Sequence, residues 1–390
     1  MNFAGETAID PLVFIKKQVM DFITSETRRS ISHLRGRLKR RGNPIVYYFH
    51  QVDDPYSHIT EQKLDELKEQ YTVDFVRHDV SMPDAVFQGD EGRFRNWALQ
   101  DAKNIAPFYK TDLPPDFGDS KAQTDEETQA GNHLRKKFGH YLSAMFYFEG
   151  EWYWGLDRLF HLEFRLANLG LSRCPESICV PRPKAESATG VAAKNITLEY
   201  FPSLRSPYTA ISYDRTIDLA QRSGVTFKLK PVMPMMMRGI PAPRAKQLYI
   251  MTDAKREADY YGVPFGNIVD PFGDPVKRAF ALFPYMKEIG REIEYCGNYL
   301  RAAWAEGVDI TTDRGLRAVV TESGGNWEMA MKRNDDWLSL LESNVSDMLG
   351  NGLWGVPSFK VSGIFEESFS CWGQDRLWRV ETEISRRAKS

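Results

Sequence analysis

The sequence predicts an α/β fold built twice: two domains in tandem with the same order of elements, each carrying an inserted helical subdomain. Three observations predict it. Tyr48-Phe49-x5-Pro55-Tyr56 matches Tyr200-Phe201-x5-Pro207-Tyr208 at an offset of 152, and the same offset aligns Asp101-Ala102-Lys103 with Asp253-Ala254-Lys255. Near the end of each copy, Trp154-Gly155-Leu156-Asp157-Arg158-Leu159 matches Trp372-Gly373-Gln374-Asp375-Arg376-Leu377 at an offset of 218, so the second copy is longer by 66 residues, all placed after Lys255. Each copy also opens on the same strand, turn, helix, strand pattern.

In chain order, an N-terminal extension over residues 1–43 begins with a helix announced by Asp10 as N-cap, Pro11 at the first helical position and apolar residues at helical spacing to Ile23. It continues into seven Arg or Lys and no acid between Arg28 and Arg41. A solvated basic helix packed on a neighbour accounts for this; binding to an anionic membrane or partner is the alternative. In the first copy, residues 44–171, Ile45–Phe49 reads as a strand, Tyr56–Tyr71 as a helix and Val73–Val80 as a strand. A helical stretch follows, then strands at Ala144–Phe148 and Trp152–Trp154 and a helix at Asp157–Leu166. Residues 172–194 are rich in Pro, Ser and Ala and lack periodicity, which is linker composition. The second copy, residues 195–390, repeats the order with Ile196–Phe201, Tyr208–Ser223 and Val225–Pro231, a longer helical insert, strands at Ser358–Val361 and Ser368–Trp372, and a helix over Gln374–Ile384. Strand, helix, strand, helical insert, β-hairpin and helix is the order of a thioredoxin-like sandwich.

Composition bounds the function. At 390 residues, 42% hydrophobic and 13% aromatic, the chain can bury two cores. No apolar run approaches the roughly 18 residues that cross a bilayer, and no signal peptide heads the chain, so a cytoplasmic location without an integral membrane segment is expected. A net charge of −2 gives no electrostatic case for nucleic acid. Cys174, Cys179, Cys296 and Cys371 show no CxxC spacing and suit a reducing compartment; pairing of Cys174 with Cys179 is the minor alternative. With the seven histidines away from ligand spacing around these cysteines, no metal site is expected.

The chemistry concentrates in the second copy. In an α/β layer, ligands bind beyond the carboxyl ends of the strands, beside the N-terminus of the following helix. Ser206 in "FPSLRSPYTA" stands there, where free N–H groups and the helix dipole favour an anion and a hydroxyl adds a donor. Were the anion a thiolate, donation to it would lower its pKa, making the serine a stabiliser rather than a nucleophile. In "WGVPSFKV", Pro357 opens a strand, and a cis Val356-Pro357 bond would offer the Val356 backbone as a short pairing edge to an extended peptide-like ligand. Gln374 and Asp375, at a helix start, suit an α-amino and carboxylate pair. Taken singly, each has an ordinary reading: an N-cap, a strand edge, a helix cap. Their order along the chain is what singles them out.

"YFPSLRSPYTAI", "PAPRAKQLYIMTDAKREADYYGVPF", "GVDITTDRGLRAVV" and "GLWGVPSFKVSG…CWGQDRL" together resemble the 2-hydroxychromene-2-carboxylate isomerases and kappa-class glutathione transferases, within the thioredoxin-like family that includes DsbA. The resemblance implies glutathione as cofactor and a small aromatic or conjugated electrophile as partner. It implies that Ser206 faces the glutathione sulfur, Lys246 contacts glutathione, Val356 before Pro357 pairs with the cysteinyl backbone, and Gln374-Asp375 hold the γ-glutamyl end. Such proteins pair as homo-oligomers, so a fused copy would make an internal pseudo-dimer. Where the disulfide oxidoreductases carry CxxC, this chain has Ser206-Pro-Tyr-Thr209, which disfavours a DsbA-type thiol oxidoreductase. A non-catalytic thioredoxin-like binding or scaffold protein is the other alternative. "PVMPMMMRGIPAPRA" departs from the family where the substrate pocket forms; it is either core filling or an adaptable apolar surface for a larger substrate.

The first copy has Asp54 for Ser206, Phe94 for Lys246, Ala144 for Pro357 and Leu156 for Gln374. It is expected to keep the fold, with Asp54 as a helix cap, and to have lost the site, including the special backbone of Pro357.

Overall fold

The computed structural model describes residues 11–115, 124–186, 193–333 and 335–390. Asp10 and the linker residues 187–192 lie outside them. The chain divides into two units: an N-terminal one of Glu26–Lys184 with Pro241–Tyr249, and a C-terminal one of Ala185–Ile240 and Ile250–Ser390 with the described residues up to Ser25.

Each unit holds a four-stranded mixed sheet, and the two sheets share one strand order. In the N-terminal unit β1 (Ile45–His50) lies between parallel β2 (Asp74–Asp79) and antiparallel β3 (Met145–Phe148), with β4 (Glu151–Trp154) outside β3. In the C-terminal unit β5 (Thr197–Phe201) lies between parallel β6 (Thr226–Leu229) and antiparallel β7 (Ser358–Gly363), with β8 (Phe365–Trp372) at the edge. The central strands are fully buried at Val46, Tyr48 and Phe49 and at Leu198, Tyr200 and Phe201, as runs covered on both faces should be. Both units are α/β, with the strand order that the repeated element order predicts.

Three local differences from the sequence expectation stand out. The first-copy helix is two, Pro55–Glu61 and Leu64–Gln70, joined by a turn at Gln62 and Lys63. The final helix of the second copy opens with a 3-10 turn, Gln374–Arg376, before Leu377–Ala388. Hairpin β7–β8 is tighter than expected: β8 starts at Phe365, turning through Ile364 at φ 68.

The extension forms two helices. In the C-terminal unit, the Thr24 hydroxyl of Pro11–Thr24 donates to the Gly266 carbonyl at 3.3 Å. In the N-terminal unit, the basic helix Glu26–Leu38 packs on the β3–β4 hairpin: Ser32 Oγ donates to the Gly150 carbonyl at 2.8 Å, and a Cβ at Gly36 would overlap the Glu149 backbone. This is the packed-helix reading of the basic segment.

Candidate functional site

Strand directions assemble the site. β5 runs toward Phe201, which pairs with Ser358 at the start of antiparallel β7; Ser358 pairs in turn with Trp372 at the end of β8. The segments that follow β5, precede β7 and follow β8 therefore meet at one end of this sheet. They carry Ser206, Val356-Pro357 and Gln374-Asp375. β6 is parallel to β5, so its continuation, with the Met235–Arg238 turn, leaves from that end too.

Ser206 is 6% exposed and is the N-cap of the helix Pro207–Ser223. Its Oγ accepts from the Thr209 amide at 3.1 Å, which engages an oxygen lone pair and leaves the O–H to donate elsewhere. Ser203, three residues earlier, accepts the Ser206 amide at 3.0 Å through its carbonyl. The Val356-Pro357 peptide is cis. Pro357 is buried and its carbonyl accepts from the Gly373 amide at 2.8 Å, tying the β7 entry to the β8 exit. Val356 is half-buried, and among the described residues its main-chain N–H and C=O have no backbone partner. Trp354 and Trp372 pack at 5.0 Å between centroids, and a Cβ at Gly355 would overlap the Trp372 indole, so this approach requires glycine.

Gln374 is buried: its Nε2 donates to Glu257 at 2.7 Å and to Asp375, and its Oε1 accepts from Arg215 at 3.4 Å. Arg215 lies over the Tyr261 ring at 3.4 Å. Its commitment to buried Glu257 and to Asp375 makes Gln374 a support for half-buried Asp375. Lys246 belongs to the N-terminal unit, where its ammonium donates to the Phe87 carbonyl at 2.9 Å and burial lowers its pKa. The other five sequence-predicted residues share one sheet end.

Sequence reasoning passed over several neighbours. Arg205, beside Ser206, forms a bidentate pair with Asp270 at 2.8 and 2.9 Å, covers the Phe272 ring and donates to Met236 sulfur at 3.2 Å. Arg238 donates to the Trp354 carbonyl at 3.1 Å, and burial lowers its pKa. These contacts fasten the Met-rich turn to the site. The Tyr208 hydroxyl donates to buried Asp253 at 2.8 Å, and Tyr56 donates to Asp101 at 2.7 Å in the other unit; both pairs sit at the 152-residue offset and could have been paired from it.

The N-terminal unit shows how such a corner closes. Asp54 caps the helix Pro55–Glu61, as expected, and its carboxylate accepts from the Tyr56 and Ser57 amides at 3.4 and 3.0 Å and from the Ser57 and Ser143 hydroxyls at 2.7 and 3.1 Å. Burial still raises its pKa. Ser143 precedes Ala144, whose carbonyl accepts from the Gly155 amide at 2.7 Å as Pro357 accepts from Gly373. Position for position, the corner residue and the residue before the proline equivalent are within hydrogen-bond reach. The backbone at Ala144 is not ordinary, however: φ is 52, a left-handed conformation that costs a residue with a Cβ about 1 kcal/mol or more.

Cys296 and Cys371 are buried and burial pushes the Cys296 thiol up; Cys179 is pushed up to about 12 by burial and by Glu163. All four cysteines, Cys174 and Cys179 included, are free. No cluster of potential metal ligands occurs among the described residues, and no described helix is long and apolar enough to cross a membrane.

Residues 197–385 match the DSBA-like thioredoxin domain family. Solved structures similar to this chain include a 2-hydroxychromene-2-carboxylate isomerase (21% identity, 49% of this chain and 95% of that one, TM-score 0.41). The cytosolic disulfide reductase DsbM from Pseudomonas aeruginosa, also solved with GSH, is 18% identical (49% and 98–99%, TM-score 0.38). A probable DsbA oxidoreductase from Streptomyces coelicolor is 15% identical (50% and 90%, TM-score 0.38). No curated protein matches the chain.

Proposed function

We propose that this protein is a glutathione-dependent isomerase or transferase, acting in the cytoplasm on a small aromatic or conjugated electrophile. The observation that carries the reading is the Ser206 hydroxyl: it caps its helix through a lone pair while keeping a proton to donate, at the sheet end where the Val356 backbone is unpaired. Glutathione fits both. Its cysteinyl N–H and C=O pair with Val356 as one rung of a β-ladder. Its sulfur then lies against the Ser206 O–H and the helix N-terminus, both of which favour the thiolate. Asp375, oriented by Gln374, takes the α-amino group of the γ-glutamyl end. Lys246 enters the proposal through the sequence resemblance alone.

The thiolate sulfur forms a bond to the β-carbon of an alkene conjugated to a carbonyl, and the π pair moves onto the carbonyl oxygen. The former double bond, now single, rotates. Return of the electron pair re-forms the alkene and expels the thiolate, which gives the isomer; protonation of the α-carbon instead retains the adduct. Cys296 and Cys371, buried, take no part.

The N-terminal unit is then a second copy that kept the fold and closed its site with Asp54, standing in for one subunit of a pseudo-dimer. Calorimetric titration of the intact chain with reduced glutathione tests the reading. Saturable binding that weakens in Ser206→Ala supports it; no uptake at millimolar glutathione overturns it. Unchanged affinity in Lys246→Ala removes that residue alone.

A further inference from the structure

Two basic stripes face each other in the N-terminal unit. On the helix Glu26–Leu38, Arg29, His33 and Arg37 recur every four residues and so share one face. On the helix Gly155–Asn168, His161 and Arg165 do the same. Between them lies a cleft of about 240 Å³ lined by these five side chains, with the half-exposed Phe164 as an apolar wall.

Most of the cleft's donors are held in place. Glu151 pairs with Arg29 at 3.2 Å, His33 at 2.8 Å and Arg165 at 3.5 Å, and buried Arg165 also donates to the Phe148 and Glu149 carbonyls at 2.8 and 3.2 Å. Glu149 answers Arg40 at 3.1 Å. Arg37 has no acidic partner among the described residues. With Glu149 answered by Arg40 outside the cleft, the three lining arginines, Arg29, Arg37 and Arg165, against Glu151 leave two positive charges in excess in a concave site that focuses their field. The excess matches a dianion, and planar guanidinium forks match phosphate oxygens. A cleft of this volume has room for a short organic group on that phosphate, against Phe164.

We propose that this cleft binds a small phosphate monoester, with Arg37 and Arg29 gripping the phosphate and Phe164 covering the organic part. The site is separate from the Ser206 corner and does not depend on the glutathione reading.

The experiment titrates the intact protein with phenyl phosphate by calorimetry, and in a second arm measures sedimentation with vesicles of phosphatidic acid. Arg37→Gln and Arg35→Gln are compared; both residues are exposed on the same helix, and Arg35 is outside the cleft. The expected result is saturable binding of phenyl phosphate, weakened roughly 10- to 100-fold by Arg37→Gln, the loss of a charge-assisted bond, and unaltered by Arg35→Gln. Vesicle binding that also falls only in Arg37→Gln identifies a lipid headgroup as the source of the phosphate. No saturable binding of phenyl phosphate overturns the proposal, as does an equal loss in the two variants, which would mark diffuse surface attraction.

Discussion

Ser206→Ala separates a structural serine from a chemical one, because the hydroxyl has two jobs with two different readouts. As N-cap it accepts one bond, from Thr209 N at 3.1 Å, and a Ser-to-Ala change at such a position costs about 1 kcal/mol of stability. As donor to a bound thiolate it would supply one charge-assisted hydrogen bond, about 1.5–3 kcal/mol. At 1.36 kcal/mol per unit, losing it raises the pKa of bound glutathione by roughly 1–2 units, toward the ordinary thiol value near 8.5. The thiolate's ultraviolet absorbance, followed against pH at saturating glutathione, reads this directly. Ser206→Asp sharpens the test: aspartate caps as well as serine does, as Asp54 shows in the other unit, but sets a carboxylate against the sulfur and should raise its pKa further. Ser206→Ala that melts earlier yet leaves the thiolate titration unmoved would reduce Ser206 to a cap and refute the reasoning.

Gln374→Leu, the residue found at position 156 of the first copy, leaves buried Glu257 without its Gln374 donor and should cost about 1–3 kcal/mol in urea unfolding, together with weaker glutathione binding through Asp375. Tyr208→Phe and Tyr56→Phe each remove a hydroxyl bond to a buried aspartate, at 2.8 and 2.7 Å; similar losses, about 1–3 kcal/mol each by denaturant titration, are expected if the two pairs do one job. Gly355→Ala should displace the Val356 segment from Trp372 and abolish glutathione uptake in calorimetry, while Gly350→Ala, with open space around it and no left-handed backbone, serves as a control for handling. For Asp54, burial raises the folded pKa above the unfolded value, so the folded state holds its proton more tightly and this group's contribution to stability falls as pH rises from about 3.9 through the folded pKa. Asp54→Asn keeps the cap and removes that titration: the stability of the variant relative to wild type should rise over this window, and a flat difference across it would argue against the raised pKa.

The Ser206 corner was legible because it is local. A Ser-Pro after a β-type run is a capping signal fixed by neighbouring residues, and the register of the repeat marked Asp54 as its counterpart. Pro357 was legible for the same reason, since only an X-Pro bond adopts cis at modest cost. The break at Gln62 and Lys63 and the left-handed Ala144 carried no such signal. Neither position holds a glycine or proline; the Gln62 side chain exchanges hydrogen bonds with the Asp112 main chain, and the Ala144 carbonyl takes the Gly155 amide across the hairpin, partners that residues next in sequence do not announce.

What the sequence by itself determined is the alternation of strands and helices, done twice, and the caps and proline at the strand ends, because periodicity, caps and proline geometry act over a few residues. What only the tertiary structure decided is which of those ends converge and which side chains are already spent. The pairing of Phe201 with Ser358 and of Ser358 with Trp372 brings together residues about 150 positions apart. Burial turned Gln374 inward to Glu257, and the crossing of two helices gathered the arginines and histidines of residues 29–37 and 161–165 around one cleft. Those outcomes depend on packing between distant segments, where the gain from burying apolar surface and satisfying buried charge outweighs any local preference.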